Sequence, residues 1–234
     1  MSGIDTSVAV HQLHVDFMYK PVKQKKKSFN DEKNRAVRVE VDMLLKAGAI
    51  RELQFPEWVA NVVLVKNPKG TRRMCTDFTS LNKARPKYIY PLPYLARMVD
   101  GSAGQEVFDF MDASRGNHHI KMYSEDEEKT AFITEYGLYC WKLMPFGLKN
   151  AGATYQSMVN SIFANQIGRN MEIYVDEMLI KSKVRRDHLK NLKETFDKLN
   201  RSRLRINPDK CSFGVTAGKF LGYMISERGI DRHP

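Results

Sequence analysis

Apolar positions along this chain change their period several times, and each change predicts an element. Residues 1–29 show weak periodicity and carry Lys23, Lys25, Lys26 and Lys27, which reads as a basic, extended N-terminal arm. From Asn30 the pattern turns helical: a capping residue, acidic Asp31 and Glu32, then Val37, Val41, Leu44 and Leu45 predict a helix over about 31–47, closed by Gly48. The Val-rich run 58–66, the turn chemistry of 67–70 and the strand composition of 72–78 predict a hairpin with a basic tip. Three prolines between Lys83 and Pro93 predict an extended connector, followed by a short helix near 94–100.

Residues 107–111 form a short apolar run that ends on Asp112, as a buried strand delivering a carboxylate at its end would. Runs 130–134 and 138–144 flank Tyr136-Gly137 and predict a second hairpin. Ala151, Tyr155, Met158, Val159, Ile162 and Phe163 then lie on one helical face. Residues 171–175 and 178–180 are apolar and separated by only Asp176 and Glu177, a tight hairpin with two acids at its tip. Leu189, Leu192, Phe196 and Leu199 mark another amphipathic helix, and 220–225 reads as a last strand. The expected class is α+β.

Charge narrows the partners. The chain has 38 Lys and Arg against 27 Asp and Glu, a formal charge of +11, which favours polyanions such as nucleic acid. Cys75, Cys140 and Cys211 are widely separated, sit among apolar neighbours and lack metal spacing, so a reducing intracellular setting is expected, without separating nucleus, cytoplasm and organelle. No run reaches the roughly 18 apolar residues of a membrane span, so no membrane partner is expected. Nothing in the pattern sets an oligomeric state.

Acids at the ends of apolar strands are costly unless their charge is compensated. Taken alone, Asp176 and Glu177 are ordinary turn residues. Asp112 changes that reading: if its strand neighbours the acidic hairpin, the carboxylates converge and can hold two hard cations for in-line phosphoryl transfer, with Mg²⁺ the implied metal.

At this point the residues resemble a known family. Tyr174-Val175-Asp176-Glu177 is one step from the Tyr-x-Asp-Asp box of reverse transcriptases and lies about sixty residues after Asp112. The segment 143–151 with Ala153-Thr154-Tyr155-Gln156, the segments 73–78, 81–83 and 90–93, and the segments 207–211 and 220–223 resemble further ordered motifs of that family. The similarity points to plant-type elements of the gypsy-type LTR retrotransposon group and runs from about residue 11 onward.

The resemblance implies a right-hand polymerase fold with an antiparallel palm sheet packed on helices: fingers over about 30–100, palm over about 101–234, thumb and RNase H absent. It implies an RNA-directed DNA polymerase that copies an RNA or DNA template from a primer with dNTPs and two Mg²⁺ ions, with Mn²⁺ able to substitute. Asp112, Asp176 and Glu177 take the catalytic positions, and Asp112 and Asp176 the metal positions. Arg73 is the candidate for the incoming triphosphate, while Lys66 and Lys69 are either its helpers or solvated hairpin charge. Pro145, Phe146 and Gly147 form the implied floor beneath the nucleotide, and Asn117 holds the position facing its ribose. Lys210 is either a proton donor to pyrophosphate or a surface lysine, and Gln156 either a template contact or a helix-surface amide. Gly222 and Tyr223 fall in the implied primer region. Arg185, Arg186, Arg201, Arg203 and Arg205 line a duplex path or are solvated helix charge.

Four departures cluster at the implied site. Glu177 replaces the second Asp of the box, Asn117 an aromatic residue, Ser114-Arg115 an aromatic-Ser pair, and Arg72 a Trp. They raise the alternative of a catalytically inactive, degenerate or truncated retrotransposon copy that at most binds nucleic acid.

Overall fold

The computed structural model describes residues 4–66, 72–113 and 119–232. In chain order the elements are β1 (Val10–His11), α1 (Asp31–Lys46), β2 (Ile50–Glu52), β3 (Ala60–Lys66), β4 (Arg72–Thr76), α2 (Thr79–Lys83), α3 (Leu95–Asp100), β5 (Val107–Asp112), β6 (Lys121–Met122), β7 (Phe132–Ile133), β8 (Leu138–Trp141), α4 (Ala151–Ile162), β9 (Met171–Tyr174), β10 (Glu177–Ser182), α5 (Arg185–Arg201), β11 (Ser212–Val215), β12 (Ala217–Phe220), β13 (Tyr223–Ser226) and β14 (Gly229–Arg232). They divide into two units, Met1–Tyr88 with Asn117–Ala151, and Ile89–Gly116 with Gly152–Pro234. A single boundary near residue 100 is therefore replaced by an interleaved one. The reason is strand pairing: β7 joins β3 in parallel and β8 joins β2, so the chain returns to the first unit after β5.

The first unit is built on a five-stranded sheet of order β2-β8-β7-β3-β4. Helix α1 starts as expected, with the Asn30 side chain accepting from the Lys33 N–H at 3.1 Å, and it buries Val37, Val41 and Leu44. The N-terminal arm is not a free tail. Strand β1 pairs in parallel with β6, and Ile4, His11 and Leu13 are buried. The Leu13 N–H donates to Asp126, while Arg85 donates to the Leu13 carbonyl and contacts His11 at 3.0 Å. Burial, then the Arg85 charge, hold the His11 imidazole down to about 3, so it stays neutral in this cluster. Further along, the Lys27 N–H donates to Asn61 and Gln24 accepts from the Asn61 N–H, tying the lysine-rich stretch to β3. Weak periodicity here reflects an extended segment lying on a sheet.

The second unit centres on a four-stranded sheet of order β11-β5-β10-β9. Strands β5 and β10 are antiparallel, with Asp112 opposite Glu177 and Val107 opposite Ser182. Below them Met98, Phe108, Phe110, Leu179, Phe220 and Ile225 form one core cluster, each large side chain contributing about 1.5–3 kcal/mol by leaving water. The expected last strand over 220–225 is instead a hairpin: β12 and β13 pair around the two-residue turn Leu221-Gly222. Both turn residues have positive φ, 53° and 82°, as a tight hairpin turn allows. This hairpin packs close to β5, because a Cβ on Gly218 would lie 2.3 Å from the Phe110 ring.

Helix α5 also departs from its apolar pattern, since Leu189 is exposed while His188, Thr195 and Leu199 are buried. A buried charge sets this rotation. Asp109, fully buried in β5, lies 3.0 Å from His188 Nε2 and accepts the Gly214 N–H, and His188 Nδ1 meets Ser182 Oγ at 2.9 Å. A second buried pair, Lys181 to Glu172 at 2.6 Å, lies on β10 and β9. Among the described residues no helix is long and apolar enough to cross a membrane.

Candidate active site

Strand pairing brings the expected acids together. Asp112 ends β5 opposite Glu177, the first residue of β10, and Asp176 sits in the turn between β9 and β10. The Ala113 N–H donates to the Asp176 carbonyl at 2.9 Å, fixing that turn against the end of β5. Asp176 is raised above the usual carboxylate range, first by burial and then by the Asp112 charge, with the Lys210 ammonium working the other way. The Asp112 carboxylate is thus close enough to oppose ionisation of Asp176.

The turn that presents Asp176 is strained and buttressed. Val175, a β-branched residue, has φ of 51°, a conformation costing of order 1–3 kcal/mol. Gln156 holds it there: its Oε1 accepts the Val175 N–H at 2.7 Å, while its Nε2 donates to the Ile173 carbonyl and to Asn160. Asn160 in turn donates to the Tyr90 hydroxyl at 2.8 Å. Gln156 is fully buried, so it is neither a template contact nor a surface amide. Two of its polar contacts go to the hairpin and the third to Asn160 on its own helix, so both amide hydrogens are used within the protein.

Tyr155, next to it on α4, is also fully buried, and its hydroxyl has no hydrogen-bond partner among the described residues. Burial and the nearby charges of Asp176 and Asp112 push that hydroxyl up, which keeps it protonated. In the sequence Tyr155 stands both on the apolar face of the helix and in the family-like segment Ala153-Thr154-Tyr155-Gln156, and neither marks it as a neighbour of the acids.

Lys210 is tied to the site through its own segment. The Asn207 N–H donates to the Asp112 carbonyl, and the turn that follows places Lys210 Nζ 3.0 Å from Asp112 Oδ2. Glu177 Oε2 accepts the Leu221 N–H at 3.0 Å, in the turn of the β12–β13 hairpin. Gly222 is exposed in that turn, and Tyr223, half-buried, opens β13. A cavity of about 300 Å³ is lined by Asp112, Glu177, Lys210, Lys219, Leu221 and Gly222, among others.

Among the described residues no group of three or more His, Cys, Asp and Glu side chains forms a ready metal cage. The donor set still fits a hard divalent cation. Asp112 and Asp176 are oxygen donors; burial and the Asp112 and Glu177 charges disfavour the ionised form of Asp176, while the Lys210 charge favours it. One oxygen of Glu177 is engaged by the Leu221 N–H.

The first unit carries the other implied residues. The Arg73 guanidinium lies over the Phe146 ring at 5.3 Å. Pro145 is buried and Gly147 has φ of 90°, with Thr76 close enough that an added Cβ would lie 3.5 Å from its carbonyl oxygen. Asn82 donates to the Gly147 carbonyl at 2.8 Å and accepts the Lys149 N–H at 2.7 Å, so segment 145–150 is docked onto the region after β4. Lys66 is exposed one pair further out, opposite Arg72, which is itself paired with Glu32 at 3.0 Å. Asn117, Lys69 and Ser114-Arg115 lie outside the described residues. Arg185, Arg186, Arg201, Arg203 and Arg205 are all exposed.

Comparison with known proteins bears on both units at once. The family model for reverse transcriptase (RNA-dependent DNA polymerase) matches residues 65–225. The chain belongs to the reverse transcriptase family. This reverse transcriptase domain is 34% identical over 198 residues to the Transposon Tf2-3 and Tf2-4 polyproteins of Schizosaccharomyces pombe (strain 972 / ATCC 24843), covering 85% of this chain. It spans 15% of the length of those relatives. Its similarity is thus to the reverse transcriptase domain of a retrotransposon polyprotein. Among solved structures, the foamy viral protease-reverse transcriptase in complex with RNA/DNA hybrid matches with a TM-score of 0.85 and 22% identity, over 94% of this chain and 29% of that one. The same viral enzyme in its dRH form with double-stranded DNA matches at 0.88 and 21% identity, over 100% and 40%. At that identity the likeness carries the polymerase fold. Reverse transcriptases as a family use divalent metals.

Proposed function

We propose that this domain catalyses template-directed transfer of nucleotides from dNTPs to a primer 3′-hydroxyl, on RNA or DNA templates, with two Mg²⁺ ions for which Mn²⁺ can substitute. The observation that carries the reading is the register of β5 against β10, which sets Asp112 beside the turn that presents Asp176. Asp112 and Asp176 hold the metal. When bound, it supplies activation of an oxygen nucleophile and neutralisation of phosphate charge. Lys210, already at Asp112, stands ready to donate a proton to the departing pyrophosphate. In the first unit Arg73, flattened against Phe146, takes the triphosphate, and Pro145 to Gly147 form the surface under the nucleotide. Gly222 and Tyr223 contact the primer strand. The foamy viral complexes with RNA/DNA hybrid and with DNA support nucleic acid as the partner.

A second reading, a copy that binds nucleic acid without extending it, is favoured by one observation: the Glu177 carboxylate, opposite Asp112 in the strand register, has one oxygen engaged by the Leu221 N–H. Primer extension separates the two. The expected outcome is Mg²⁺-dependent extension of an RNA-templated primer that Asp112→Ala reduces by at least about 10³-fold, with primer–template binding that weakens steeply as salt rises. Salt-sensitive binding with extension no greater than that of Asp112→Ala selects the second reading.

A further inference from the structure

Away from the Arg73 and Phe146 surface, the first unit holds a cavity of about 830 Å³. Lys46, Lys121 and Lys142 line it with the hydroxyl side chains of Thr6, Tyr123 and Ser124. Three different elements bring the lysines there. Lys46 is in the last turn of α1, Lys121 opens β6 and is bridged to Leu143, and Lys142 follows β8, with its carbonyl accepting the Met122 N–H. None of these six side chains has a hydrogen-bond or ion-pair partner among the described residues. The one carboxylate in the lining, Glu127, is already taken by Arg51 at 2.9 Å. Three exposed lysines around one concavity raise a positive potential that favours an anion. Half-buried Val10 and Ala47 add apolar lining beside the half-buried Tyr123 ring. Cationic heads beside an apolar and aromatic wall match the two halves of a nucleotide.

We propose that this cavity binds a nucleotide unit, its phosphate held by Lys46, Lys121 and Lys142 and its base set against Tyr123 and Val10. The unit comes either from an unpaired nucleic-acid strand or from a free nucleotide. The site goes beyond the polymerase reading, and none of the residues assigned there lines it.

Lysine acetylation followed by mass spectrometry tests it on the full chain, with twelve-nucleotide oligo-dT and dTTP as separate probes. The expected result is acetylation slowed about fivefold or more at Lys46, Lys121 and Lys142. Lys193, exposed and paired with Asp197, serves as reference and keeps its rate. Protection by the oligonucleotide alone identifies a strand as the source, and protection by dTTP identifies a free nucleotide. In the Lys121→Gln/Lys142→Gln double variant, Lys46 is expected to regain its free rate and probe affinity to fall about tenfold. Equal acetylation with and without both probes overturns the proposal. So does protection spread equally over Lys193, or protection of Lys46 that survives in a folded double variant. Because the readout is chemical modification, a chain that fails to extend primers still tests the site.

Discussion

Two hairpin turns in the second unit hold residues at positive φ, and they are supported in opposite ways. In the β9–β10 turn, Val175 at 51° is held from inside by Gln156, which is fully buried and further braced through Asn160 and Tyr90. In the β12–β13 turn, Leu221 at 53° is held from outside by the exposed Glu177 carboxylate. A hydrogen bond out of water cannot be exchanged for one to solvent, so the first turn is fixed, whereas the second competes with water and yields more easily. The rigid turn presents the carboxylate that requires fixed geometry. The pliable one belongs to the hairpin proposed to contact the primer strand.

The sharpest way to break this contrast is to remove the inner support. Gln156→Leu leaves the part-buried Val175 N–H and the buried Ile173 carbonyl without their side-chain partner, so it should cost about 2–3 kcal/mol in denaturant unfolding. The same variant should lower the turnover of primer extension on the order of 10²-fold, with little change in the KM for primer–template. A loss confined to KM would show that Gln156 touches the template after all. Conservative Gln156→Glu should not rescue turnover, because it removes the amide donor to Ile173 and Asn160.

A second, smaller effect comes from the charge that the rigid turn displays. Asp176 has a raised folded pKa, so the stability it contributes is present below the ordinary carboxylate pKa and is lost as pH rises through the folded value. Without divalent metal at neutral pH, Asp176→Asn should therefore melt above the parent, by about 2 °C, and the gap should close in acid. Added Mg²⁺ should raise the melting temperature of the parent but not of the variant. A variant that melts lower at neutral pH would mean that the carboxylate is not crowded.

The smallest effect is expected at the pliable turn. Glu177→Ala should destabilise the chain by about 1 kcal/mol or less, while speeding exchange of the Leu221 amide about fivefold, measurable by NMR. Glu177→Gln keeps an oxygen acceptor and should restore most of the protection. Glu177→Asp, which recreates the acid usual in this family, loses a methylene of reach and should leave the Leu221 amide as exposed to exchange as the alanine variant does. Unchanged exchange in all three would place the support of that turn elsewhere.

Much of the fold was legible because burial imposes period. The 107–112 and 171–182 runs are mostly apolar and buried, and the α1 and α4 stripes follow helical spacing, so those elements lie close to their expected bounds. Where a buried polar group decides, the pattern misleads. The α5 face turns on the contact of Asp109 with His188, so exposed Leu189 falls outside it. The strand expected over 220–225 is folded back at Leu221-Gly222, a reversal that an unbroken apolar run conceals. The arm of residues 4–27 owes its order to distant partners, Asp126, Arg85 and Asn61, which no local window contains.

The sequence by itself determined the family, the acids Asp112 and Asp176, and the strands that carry them, because ordered motifs and apolar runs are local properties of the chain. Only the tertiary structure decided what each acid faces. Asp112 meets Lys210 from 98 positions away, and Glu177 reaches Leu221 from 44. Gln156, read from the chain as either a template contact or a helix-surface amide, is the buried brace of a strained turn. The direction of a side chain is set by whichever partner relieves its charge or satisfies its hydrogen bonds, and those partners are brought within reach only when the sheet closes.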